Sequence, residues 1–110
     1  YGRIDAVVAA GLDDSPDCIE TYLLGTIALV EAALEVMDPA RAGRVVGIGS
    51  GAGAFGSARD PRHAAAAAGV IGYIRSVALS MRDTCIRANV VSLAMGSSAT
   101  AGCRESRFIA

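Results

Sequence analysis

Few residues of this chain have chemistry of their own near neutral pH. Its thiols are Cys18, Cys85 and Cys103, widely and irregularly spaced, and its single imidazole is His63. A thiol activated by an imidazole is a familiar nucleophile, but nothing in the spacing joins His63 to any one of the three cysteines. An odd set of distant cysteines makes neither a disulfide framework nor a zinc signature. Reduced thiols and a cytoplasmic location are therefore the expectation. The other chemical feature is backbone: Gly49, Gly51, Gly53 and Gly56 stand within the run Gly-Ser-Gly-Ala-Gly-Ala-Phe-Gly. Glycines so spaced imitate the fingerprint in which main-chain amides close on a pyrophosphate at a strand-to-helix turn.

Alternating segments must position these groups. Ile4–Ala9 is short and apolar and reads as a strand. A polar turn, Leu12–Pro16, follows, with Ser15 as N-cap and Pro16 at the first helical position. From Asp17 to Met37 the apolar residues Ile19, Leu23, Leu24, Ile27, Val30, Leu34 and Met37 recur at helical spacing, and Pro39 lies just past the end. Arg44–Gly49 reads as a second strand and Ser50–Gly56 as a glycine-rich loop. Asp60 and Pro61 then read as N-cap and first residue of a helix running through the alanine run Ala64–Ala68 to about Arg82. Ile86–Ser92 is a third strand, and Leu93–Ala110 has no clear pattern. The order β-α-β-α-β predicts an α/β fold, a partial Rossmann-type parallel sheet with right-handed crossovers. Ligands in such sheets sit beyond the carboxyl ends of the strands, here Ala9–Leu12, Gly49–Gly56 and Leu93–Ser98.

Composition narrows the function classes. The 110 residues suffice for one small domain, and 53% are hydrophobic although there are only two Phe, three Tyr and no Trp. That aliphatic mix suits buried parallel strands under helices rather than disorder. A net charge of −1 without a basic patch argues against nucleic acid and anionic membrane as partners. No apolar run reaches the length of a membrane span. The chain opens at Tyr1 without the layout of a signal peptide, as though at an interior cut.

Five blocks, taken in order, resemble the short-chain dehydrogenase/reductase family. Tyr1–Gly11 is similar to that family's fourth strand, which reads Gly-(Lys/Arg)-(Ile/Leu)-Asp, an apolar run and Asn-Asn-Ala-Gly or Ala-Asn-Ala-Gly. Tyr22-Leu23-Leu24-Gly25-Thr26 resembles Asn-x-x-Gly-(Thr/Val) in the next helix. Gly43–Ser50 resembles Gly-(Arg/Ser)-Ile-Val-Asn-Ile-Ser-Ser. Gly69–Leu79 resembles the run after the active-site Lys, and Ile86–Ser92 resembles Ile-Arg-Val-Asn-x-(Val/Ile)-(Ser/Ala). The blocks span residues 1–98, the expected partial domain, with 99–110 as a tail. The compact turn at Leu12–Pro16 is also similar to some bacterial hydroxysteroid dehydrogenases.

The resemblance implies oxidoreductase chemistry with NAD or NADP. A Tyr exchanges a proton with the substrate oxygen while hydride moves to or from the nicotinamide. A Lys one helical turn later lowers the pKa of that Tyr and holds the cofactor ribose, a Ser binds the substrate oxygen, and an Asn completes a proton relay. Aligned on Gly69–Leu79, the Tyr position holds His63, the Lys position Ala67, the Ser position Ser50 and the Asn position Tyr22. Only Ser50 is kept. His63 could substitute as proton donor, because imidazole titrates near neutrality, although a first-turn helix position places it in solvent. Ser50 reads equally as a capping hydroxyl, and Tyr22 as core filling. Cofactor-facing positions by the same resemblance are Ala9 and Gly11 after the first strand, Ala94 where the family has Pro-Gly, and Ser98 where it often has Thr. The glycine run aligns with the substrate-side loop.

Two readings follow. The chain is a degenerate or truncated family member that does not catalyse alone, either a fragment or a non-catalytic subunit paired with a complete homologue. Alternatively it is an active alcohol or ketone oxidoreductase using Ser50 and His63. An unrelated small α/β binding domain has only the generic pattern in its favour. Both long helices, 17–37 and 61–82, are apolar on many sides, and the resembled family pairs them across a two-fold axis. A homo-oligomer, or a heterodimer with a fuller homologue, through Leu24, Ala28, Ala68, Ile71 and Arg75 is the corresponding expectation.

Overall fold

The computed structural model describes residues 4–10, 17–93 and 108–109. Strand β1 (Ala6–Ala10) is followed by a π-helical segment, Ile19–Leu24, that runs directly into α1 (Gly25–Val36). Then come β2 (Gly43–Ser50), the short α2 (Gly51–Phe55), α3 (Pro61–Ser80) and β3 (Ile86–Leu93). A two-residue strand, β4 (Phe108–Ile109), completes the sheet. The order is β1-β2-β3-β4, with β1, β2 and β3 parallel and β4 antiparallel to β3. The three parallel strands and two helical crossovers agree with the α/β expectation. β4 falls in a region where the sequence offers no pattern.

Strand alternation decides what the sheet buries. Gly43, Val45, Gly47 and Gly49 of β2, and Ile86, Ala88, Val90 and Ser92 of β3, are buried against the helices. The helices answer with matching stripes. Tyr22, Thr26, Val30, Ala33 and Met37 are buried on the first crossover, and His63, Ala66, Ala67, Val70, Ile74 and Val77 on the second. Each fully buried Val or Ile contributes on the order of 1.5–3 kcal/mol, so Val30, Val45, Val70, Ile74 and Ile86 anchor this layer. Gly69 lets α3 approach the π-helical segment, since a Cβ there would stand 2.7 Å from Leu23 Cδ2. Across the junction Tyr73 Oη donates to the Ile27 carbonyl at 3.4 Å. Its phenol is pushed above the ordinary value by burial, with the Glu31 carboxylate adding to the effect. On the opposite sheet face Val8 is 60% exposed, and Arg44, Arg87 and Asn89 are exposed as well.

The local signals worked unevenly. Asp60 caps α3, with Pro61 in the first turn and the His63 N–H donating to Asp60 Oδ1 at 3.0 Å. The proposed cap Ser15 and Pro16 lie outside the described residues. The first crossover is π-helical where a uniform α-helix is expected: the Gly25 N–H reaches the Glu20 carbonyl, five residues back. The glycine run is not a loop, because Gly51–Phe55 forms one short helix capped by Ser50. Glycine's low helix propensity is overridden there by docking on α3. Among the described residues no helix is long and apolar enough to cross a membrane.

Candidate functional site

The four aligned catalytic positions come together at the carboxyl end of β2, and all four are buried. Ser50 is 2% exposed, Tyr22 2%, His63 5% and Ala67 0%. Ser50 ends β2 in an extended conformation and caps α2, its Oγ accepting from the Ala52 N–H at 3.2 Å. Its hydroxyl therefore has a structural partner. Tyr22, on the π-helical segment, crosses to β2 and donates from Oη to the Ile48 carbonyl at 2.7 Å. Burial pushes the Tyr22 phenol from 10.0 up to about 12, so it stays neutral through the physiological range. A neutral phenol tied to a carbonyl is poorly placed to relay protons at pH 7.

His63 does not stand in solvent. It sits at the head of the buried stripe of α3 and stacks on Tyr22, with ring centroids 5.9 Å apart and an interplanar angle of 21°. Its Nδ1 is buried and has no hydrogen-bond partner among the described residues. The first-turn position misleads because the period places His63 in phase with Ala67, Val70, Ile74 and Val77, all buried. That spacing, rather than distance from the helix end, is the signal that finds its burial.

Ala67 is sealed by α2. A Cβ added to Gly53 would stand 2.7 Å from Ala67 C and from Ala68 N, and 2.9 Å from Ala67 Cβ. The backbone of α2 thus lies directly against α3 where the family's Lys would branch. No other residue takes over that amine, because the chain has no lysine and its ten basic residues are all arginines. That absence is legible in the sequence and sharpens the substitution at Ala67. The residues present do not fit the ribose hold that the family's Lys provides. Ala9, at the carboxyl end of β1, is 3% exposed and offers no polar side chain. Gly11, Ala94 and Ser98, the other cofactor-facing positions, lie outside the described residues. No metal-binding cluster of His, Cys, Asp and Glu is formed among the described residues. Of the thiols, Cys18 is buried and Cys85 exposed.

Comparison with known proteins shows the family. Residues 2–106 match the short chain dehydrogenase family, and the chain belongs to that family. It is 39% identical over 80 residues to the 3-oxoacyl-[acyl-carrier-protein] reductase FabG of Salmonella typhimurium, covering 73% of this chain and 33% of that protein. The FabG of Pseudomonas aeruginosa is 38% identical over 80 residues, 73% of this chain and 32% of the relative. A 3-oxoacyl-[acyl-carrier-protein] reductase of Bos taurus is 30% identical over 90 residues, 82% of this chain and 38% of the relative. The chain thus spans about a third of the length of these relatives.

Proposed function

We propose that this chain is a degenerate short-chain dehydrogenase that does not carry out hydride transfer by itself. The observation that carries this reading is the sealed position at Ala67, fully buried under the Gly53 backbone in a chain without lysine. The family reaction needs a phenol whose pKa is lowered by a neighbouring ammonium, and an amine that holds the cofactor ribose. Here the amine is missing, and the only phenol among the four positions, Tyr22, has its pKa raised. The remaining polar groups are engaged or enclosed: Ser50 caps α2, and His63 lies under Tyr22. The test is a steady-state assay of the native full-length product with NADH and NADPH against a 3-oxoacyl thioester, the substrate type in the relatives' names. No turnover above the uncatalysed rate is expected.

One observation favours the second reading, an oxidoreductase using Ser50 and His63. Nδ1 of His63 is buried without a partner among the described residues, and an unpartnered buried atom costs about 1–3 kcal/mol if it serves nothing. Under that reading the imidazole delivers the proton and Ser50 receives the substrate oxygen. Turnover abolished by both His63→Gln and Ser50→Ala would establish it and refute the first reading.

A further inference from the structure

We draw no further inference here: the strongest candidate, the face of the parallel sheet turned away from the helices, where Val8 is 60% exposed and Arg44 and Arg87 stand side by side on β2 and β3, is an unpartnered face, and nothing in the structure shows what covers it.

Discussion

Helix α3 has two faces built from nearly the same small residues, with opposite results. On the inward face His63, Ala66, Ala67, Val70 and Ile74 are buried, and the backbone of α2 presses on Ala67 through Gly53. On the outward edge Ala68 and Gly72 leave a hollow beside β3, walled at one end by Gly53 and Ala54 of α2 and open enough to leave Arg75 exposed. Small side chains permit close approach only where another element is delivered to them. α2 is delivered to Ala67 by the short connection from β2. Nothing among the described residues is delivered to Gly72. The face that holds the family's catalytic positions is therefore the closed one, and the face with room lies elsewhere.

Forcing the closed face open should have the largest effect. Ala67→Lys places an ammonium at a fully buried position, a cost of roughly 4 kcal/mol or more. Urea denaturation of the native product should show the loss. A variant as stable as the parent would mean that an open pocket, not a seal, surrounds residue 67. The same experiment with His63→Tyr added asks whether the family's dyad can be rebuilt here, and the seal predicts a poorly folded protein without turnover.

Gly53→Ala probes the same seal more gently. Its Cβ would meet backbone, which cannot swing aside as a side chain can, so overpacking should destabilise by about 1–3 kcal/mol. Gly72→Ala is the matched control on the open face. It meets nothing and gains helix propensity, so it should be stabilising by about 0.5–1 kcal/mol. Equal effects of the two alanines, read from denaturation midpoints, would erase the contrast between the faces.

Tyr22→Phe should cost less, about 1 kcal/mol, because it removes the bond to the Ile48 carbonyl but keeps the ring against His63. Its signature is in alkali. The folded-state phenol is raised from 10.0 to about 12, so between those values the folded protein holds a proton that the unfolded chain has released. Stability then falls as pH rises through that window, and is unaffected by this group well below it. Tyr22→Phe should flatten that part of the stability profile. An unchanged alkaline slope would place the ionisation of Tyr22 nearer its ordinary range.

Sequence and structure divide the account of this protein along physical lines. Local rules sufficed for the strand–helix alternation, for the parallel sheet and for the Asp60–Pro61 start of α3, because periodicity and capping depend on near neighbours. The replaced positions, His63, Ala67 and Tyr22, were equally plain once the flanking blocks were aligned, since that requires only residue identity and spacing. The side on which His63 lies was implicit in its phase with Ala67 and Val70, although its place in the first turn suggested solvent. Other features depend on contacts between segments distant in the chain. The stack of His63 on Tyr22 joins residues of two different crossovers. The short helix at Gly51–Phe55 contradicts glycine's own preference and is held by docking on Ala67. The hollow at Gly72 exists because β3 stands beside α3 and the side chains at 68 and 72 are too small to fill the space between them. Such features follow from how the elements come together, and local propensity does not encode them.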